Sequence, residues 1–417
     1  MDPQSNEPQG ETETTPGPLE GVRIIDLTSI LFGPIATQFL ANMGAEVIKV
    51  EAPDGDVMRY VQPMRSPGMG AVFMNSNRAK QSVALNLKTE AGRQALNRLV
   101  ETGDVFVHSM RSQAAAKLGI DYDSLKAIKP NLLYCFACGY DSQGPNADLP
   151  AYDDIIQAAT GLASITTLAD GTPQLVRSVM ADKISALYLT QALLAAIMTQ
   201  KTTGQGQYVE VPMFECLTHF MMIEHMFGRC FEPPMASAGY TRVLSANRQT
   251  YRTKDSYIAA LPYTTAQWQR FLALIGKDDL AREDWVNDAT QRSIRIDELY
   301  GVIAEAAPSR TTDEWVTELR RIDIPVSPVN SLEDLFSDPQ LQASGLFEEY
   351  EHPTEGHLRG TRHPIRSAIP PLAAANAPHL GEHTRAVLAS LGYGADEIDN
   401  MISAGAATGA DMDSGTP

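Results

Sequence analysis

The stretch from Val22 to Glu51 constrains the fold of this 417-residue chain more than any other. Val22-Arg23-Ile24-Ile25-Asp26-Leu27 is a β-branched, apolar run of strand length, followed by a turn signal at Gly33-Pro34. Apolar residues then recur at helical spacing over 35–42, and Gly44 stands where a helix C-cap belongs. Residues 45–51 read as a second strand. Strand, helix and strand in this length make a βαβ unit, whose strands lie parallel and whose sheet must be covered by helices.

The alternation continues. Strands are expected over 82–87, 105–108 and 132–139, with helices over 89–101 and 122–128. A long apolar helix follows over 183–202, closed by Thr203-Gly204-Gln205-Gly206-Gln207, then a strand over 208–212 and a helix over 214–228. Pro, Gly and Ser crowd 233–248 and break the pattern. The expected organisation is a polar tail over 1–17, a large domain over 18–230, a linker over 231–250 and a small α/β domain over 251–340. A return segment over 341–404 completes the large domain, and 405–417 is a loose, low-complexity tail. The fold class is therefore α/β, an open Rossmann-like large domain with a smaller α/β domain.

Lys and Arg total 33 against 51 Asp and Glu, a net charge of −18. That balance argues against nucleic acid or an anionic membrane as partner. An anionic substrate must then be held by a few identifiable cations. The longest apolar run, 186–198, is interrupted by Thr190 and Gln191 and is too short to span a bilayer. Cys135 and Cys138 form a C-x-x-C inside an apolar strand, with no second pair and no His at finger spacing, so no metal is expected. Reduced thiols fit a cytoplasmic protein.

No G-x-G-x-x-G follows the first strand, and no P-loop, G-x-S-x-G or H-E-x-x-H occurs. Asp182 stands before the long apolar helix. One reading makes it an N-cap. The other uses the same helix terminus to keep a desolvated carboxylate ionised as a nucleophile. Arg78, Lys80 and Lys88 are either solvated surface charges or a phosphate-binding cluster.

Several segments taken together resemble the family III CoA-transferases (the CaiB/BaiF family). They are Pro18-Leu19-Glu20-Gly21-Val22-Arg23-Ile24-Ile25-Asp26-Leu27, Gly44 to Glu51, Asn77 to Lys88, Ala151-Tyr152-Asp153-Asp154, Ala181-Asp182 with its helix, and Ala377-Pro378-His379-Leu380-Gly381-Glu382-His383-Thr384. The likeness runs from Pro18 to about Ala404, and its specificity lies in the set. It implies Asp182 as the covalent nucleophile, with mixed anhydride and aspartyl-CoA thioester intermediates. Coenzyme A enters as co-substrate, with no permanently bound cofactor and succinyl-CoA as a common donor. Contacts to CoA map onto Leu31 and Phe32, onto Leu85, Asn86, Leu87 and Lys88, onto Ser109, Met110 and Arg111, and onto Lys117, Tyr152 and Asp153. Lys88, Arg111 and Lys117 are the candidates for its phosphates. An interlocked homodimer is expected on the same ground.

Ala52 and Leu31 depart from the basic and polar residues of formyl-CoA transferase, and Ser245-Ala246-Asn247-Arg248-Gln249 replaces its glycine-rich loop, which weighs against formate and oxalate. Arg248 or Arg242 is expected to hold an acceptor's free carboxylate. The alternative activity within the family is an α-methylacyl-CoA racemase-type isomerase, which pairs the Asp with a His. Tyr152 stands at that place, and a phenol of pKa near 10 is a poor base at neutral pH.

Overall fold

The computed structural model describes residues 17–167, 170–365 and 375–409. The expected tails fall mostly outside them, 1–16 at one end and 410–417 at the other. The chain divides into two compact units, one running to Phe220 and resuming at Gly345, the other spanning Met221–Ser344.

The first unit is built on six parallel strands: β1 (Arg23–Leu27), β2 (Glu46–Glu51), β3 (Lys80–Leu85), β4 (Val105–His108), β5 (Leu133–Cys138) and β6 (Gln207–Pro212). Their order is β3-β2-β1-β4-β5-β6, and Ala407–Thr408 adds a seventh strand antiparallel to β3. The fold is thus mixed α/β with a parallel-dominated sheet. Strand order reverses between β1 and β4, and in such sheets ligands bind at the carboxyl ends of the strands flanking that switch.

Alternation along each strand divides its side chains between two faces. Ile25, Leu27, Ile48, Val50, Val83, Leu85 and Phe106 share one apolar cluster with Leu96, Leu99, Val387, Leu388, Ile398 and Met401. Its covering helices are Glu90–Thr102, opened by the Thr89 hydroxyl on the Gly92 amide, together with Thr384–Ser390 and Ala395–Ser403 from the return segment. On the other face lie Phe32–Asn42 and the 24-residue helix Met180–Thr203. The latter buries Ile184, Leu189, Leu193 and Ile197 at roughly one-turn intervals and ends on Gly204 at φ 72°. Each such side chain contributes about 1.5–3 kcal/mol on burial.

The return segment is stitched to β3. The His383 amide donates to the Ser82 carbonyl at 2.9 Å, the Ser82 amide to His383 Nδ1 at 3.2 Å, and the Ala84 amide to the Thr384 hydroxyl at 3.0 Å. Ala407–Thr408 lies within what composition marks as a loose end, and β3 supplies its pairing. Before it, Phe347–His352 and Gly356–Thr361 form an antiparallel hairpin.

The second unit holds a three-stranded antiparallel sheet, Tyr251–Arg252, Tyr257–Ala260 and Val326–Pro328, with helices Thr265–Leu274, Ile296–Ala306 and Thr312–Arg321. Trp268, Phe271, Leu299, Tyr300 and Trp315 form its core.

Candidate active site

The loop that leaves β1 is held from beneath by buried charge. Asp26, at the end of β1, accepts the Thr28 amide at 2.9 Å, the Thr37 hydroxyl at 2.6 Å and Lys80 Nζ at 3.2 Å. Burial raises the Asp26 pKa, but Lys80 and Lys49 outweigh it and hold the carboxyl below its ordinary value. Lys49 Nζ donates to the Thr28 carbonyl at 2.9 Å and to Asp56 Oδ2 at 3.0 Å. Glu51 receives Arg59 through two 2.7 Å bonds. Arg78 and Lys80, weighed above as phosphate ligands, are both buried and paired, Arg78 with Glu348 and Lys80 with Asp26. They are spent on the fold.

Above this layer Ile30 takes φ 70°, a left-handed conformation that costs a β-branched residue about 1–3 kcal/mol. The next helix starts at Phe32, three residues earlier than Gly33-Pro34 suggests. Proline is tolerated here because first-turn amides have no partner within the helix. At position 33 a Cβ would lie 2.2 Å from the Thr28 Cβ, so only glycine lets the helix approach the strand end.

Phe32 and Asp182 line the same cleft, and the Phe32 amide is near enough to favour the ionised Asp182 carboxylate. Asp182 is 7% exposed and is not an N-cap. It is the third residue of Met180–Thr203, and Val179, at the N-cap position before that helix, offers no side-chain cap. The cap comes from Asp153, whose Oδ1 accepts the Ala181 amide at 2.7 Å and the Asp182 amide at 3.2 Å. Gln157 Nε2 steadies the other oxygen of Asp153 at 2.6 Å. Burial, then the neighbouring Asp153 charge, pushes the Asp182 pKa up to about 7, with the Phe32 amide pulling the other way. The carboxyl therefore sits at the balance between its two protonation states near neutrality.

Asp182 opens into a cleft of about 230 Å³ lined by the turns after β1 and β4, the end of β5 and residues 147–152. Of the residues marked from sequence, Phe32, Ser109, Arg111, Tyr152 and Asp182 line it. The turn after β4 is fixed by a neutral imidazole: burial pushes the His108 pKa down to about 4. Its Nδ1 accepts the Met110 amide at 3.2 Å. That assigns the proton to Nε2, which faces the Tyr134 oxygen at 2.6 Å.

The remaining candidates lie elsewhere. Leu85 is buried in the sheet core, and Asn86, Leu87 and exposed Lys88 follow it at the carboxyl end of β3. Leu31 and Met110 are half-buried neighbours of cleft residues, Lys117 is exposed, and Asp153 is the buried helix cap. Lys88, Arg111 and Lys117 make no ion pair among the described residues, unlike the buried cations. In the second unit Arg242 is engaged, with Nε 3.0 Å from the Tyr300 hydroxyl and its guanidinium over the Tyr263 ring. Arg248 lines a separate groove of about 510 Å³ with Tyr251, Tyr300 and Ser327. Sequence reasoning missed Ser29, Ile30, Cys138 and Met213 as cleft residues. The apolar runs around them carry no chemical signal.

No histidine lines the cleft, and Tyr152 is 60% exposed at its rim. Cys135 and Cys138 are free and buried, their thiols pushed up by burial. His352, Glu355 and His379 are spaced as metal ligands. The Thr354 hydroxyl sits among them, 2.6 Å from His379 Nε2, 3.0 Å from Glu355 Oε1 and 3.4 Å from His352 Nδ1. Bonded to that hydroxyl, the trio ties the hairpin turn to the stretch around His379.

A family model described as CoA-transferase family III matches residues 19–384. The succinate–glutarate CoA-transferase of Agrobacterium fabrum is 31% identical over 382 residues, covering 90% of this chain and 96% of that protein. The human succinyl-CoA:glutarate CoA-transferase is 30% identical, covering 93% and 89%. A formyl-CoA:oxalate CoA-transferase of Escherichia coli O157:H7 is also 30% identical, covering 92% and 98%. Among solved structures, a CAIB/BAIF family protein from Brucella suis superposes with a TM-score of 0.77 at 31% identity, covering 90% of this chain and all of that one. Rv3272 from Mycobacterium tuberculosis gives 0.77 at 29% identity, covering 88% and 98%.

Proposed function

Because the chain belongs to CoA-transferase family III and is a transferase of EC 2.8.3 type, we propose that Asp182 carries CoA from an acyl-CoA donor, succinyl-CoA in the first instance, to a carboxylic acid. One observation carries the reading: a nearly buried carboxylate opens into the cleft at the sheet's switch point. Poor solvation leaves the ionised oxygen reactive, and the Phe32 amide favours its charged form.

The Asp182 oxygen attacks the donor's thioester carbonyl, the C–S bond breaks, and CoA leaves as thiolate. The resulting mixed anhydride is attacked at the Asp182 carbonyl by that thiolate, releasing the donor acid and leaving an aspartyl-CoA thioester. The acceptor carboxylate displaces CoA to form a second anhydride. CoA thiolate then attacks the acceptor's acyl carbon and frees Asp182. No proton is gained or lost over the cycle, which suits a cleft without histidine.

Arg111, Lys88 and Lys117, unpaired among the described residues, are proposed to meet the phosphates of CoA. Ser109, Met110, Leu31, Phe32, Leu85, Asn86, Leu87 and Tyr152 would follow the rest of the cofactor. Arg248 is proposed to hold a second carboxylate of the acceptor; Arg242 is already committed to Tyr300 and Tyr263. The active species is proposed as a cytoplasmic homodimer with interlocked chains. Among the described residues no helix is long and apolar enough to cross a membrane.

The test is hydroxylamine trapping during turnover with succinyl-CoA and a panel of acids, read by peptide mass spectrometry. A hydroxamate on Asp182, and loss of transfer in Asp182→Ala, are expected. Rapid transfer by Asp182→Ala would sink the mechanism. Arg248→Ala should raise the KM of a dicarboxylic acceptor and leave that of a monocarboxylic one unchanged. An isomerase would instead exchange α-protons for deuterium without any acceptor.

A further inference from the structure

The carboxylate of Asp56 is buried and answers to three separate partners. Lys49 Nζ lies 3.0 Å from Oδ2, the Met58 amide 3.0 Å from Oδ1, and the Ile30 amide 3.3 and 3.2 Å from the two oxygens. The first two explain Asp56 as an ion partner and as the cap of the short helix Val57–Tyr60. The third has no structural need of that kind. It reaches across 26 residues to seize the one β-branched residue of the active-site turn that stands in the left-handed region.

Lys49 acts on the same turn from the other side, through the Thr28 carbonyl. Thr28 and Ile30 are thus both tied to one buried ion pair, with Ser29 between them. Two residues after Ile30 comes Phe32; Ile30, Phe32 and Asp182 line one cleft, and the Phe32 amide favours the ionised form of Asp182. Left-handed backbone at an isoleucine persists only where its surroundings over-determine it. Without the anchor, residue 30 relaxes toward an ordinary conformation and the Phe32 amide swings away from the nucleophile.

We propose that Asp56, paired with Lys49, is a positioning residue that locks Ile30 in its left-handed conformation and so aims the Phe32 amide at the Asp182 carboxylate. The inference rests on Asp182 being the nucleophile. Asp56 touches neither cleft nor substrate, and it acts only through the backbone of residues 28–32.

The test reads the pH profile of kcat, which rises as Asp182 ionises. Groups facing Asp182 are Asp153 behind its helix terminus and Arg111, Tyr152 and Cys138 around the cleft. Groups facing Asp56 are Lys49 and Glu51, with Asp26, Lys80 and Arg59 beyond them. Asp56→Asn removes a negative charge and leaves Lys49 in excess, so electrostatics alone would stabilise ionised Asp182 and move the rising limb down. Losing the Phe32 amide moves it up, by about one pH unit. The two accounts differ in sign.

Asp56→Asn should therefore lose about fivefold in kcat at pH 7 and recover it near pH 9, with the KM for succinyl-CoA little changed. Glycine takes positive φ without an anchor. In an Ile30→Gly background the same substitution should accordingly shift the limb by less than about 0.3 unit. A limb that is unmoved or moves down, or that moves equally in both backgrounds, overturns the proposal. Should Asp56→Asn not fold, Asp56→Glu keeps the charge on Lys49 and displaces the acceptor by one methylene, and it carries the same expectation. Trapping wild-type enzyme with hydroxylamine separates the two ideas. No adduct on Asp182 refutes the nucleophile, whereas an adduct with an unmoved limb refutes only the role of Asp56.

Discussion

An acid whose pKa is raised in the folded state destabilises the fold whenever it is ionised, so Asp182→Asn should stabilise the protein in a pH-dependent way. The folded pKa is about 7 against an ordinary 3.8. Between those values the native state binds the extra proton, so stability falls as pH climbs from one to the other. Three units at 1.36 kcal/mol each give about 4 kcal/mol once Asp182 is fully ionised. At pH 5 the penalty is about 1.7 kcal/mol, and at pH 8.5 it is about 4 kcal/mol. Asparagine is nearly isosteric and never ionises, while every other titrating group is common to both proteins. The margin of Asp182→Asn over wild type should thus widen by about 2.5 kcal/mol between pH 5 and pH 8.5. Urea denaturation followed by fluorescence at the two pH values, with ΔG extrapolated to zero denaturant, measures it. A margin equal at both, or one that narrows with pH, would refute the claim that burial and Asp153 hold this carboxyl near neutrality.

Asp153→Asn keeps an oxygen for the Ala181 and Asp182 amides but deletes the neighbouring charge. The rising limb of kcat should move to lower pH, whereas Asp153→Ala should in addition cost about 1 kcal/mol for the lost cap in a urea titration. Arg111→Ala should raise the KM for acyl-CoA about tenfold or more by removing a charge-assisted contact, and titration with CoA should show the matching loss of affinity. Glu51→Gln strands Arg59 in the core, with an expected loss of about 3–5 kcal/mol in chemical denaturation whether or not substrate is present.

What could be read in the sequence was whatever periodicity encodes. The strands of the parallel sheet, the long helix after Asp182 and the Thr89 cap follow from apolar spacing and turn chemistry, and the family likeness made Asp182 conspicuous. The rest depends on partners remote in the chain. Asp182 looks like a cap because it precedes an apolar helix, yet the cap is Asp153, which folding brings to that terminus. Pro34 looks like a breaker, yet it stands where an amide has nothing to bond within the helix. Lys80 looks like a surface cation, but β3 carries it into the core against Asp26. The strand Ala407–Thr408 has no signal of its own, since two residues are too few for a period and β3 dictates their pairing.

That last pairing bears on how the protein is made. A chain emerging from the ribosome presents β3 long before Thr384 and Ala407 exist, with the whole second unit still to be synthesised between them. Until then β3 is an unpaired sheet edge, the kind of surface that templates association between chains. The outer edge of β3 thus stays open until residues 384–408 have followed the second unit, and a chain truncated before Thr384 would keep that edge exposed.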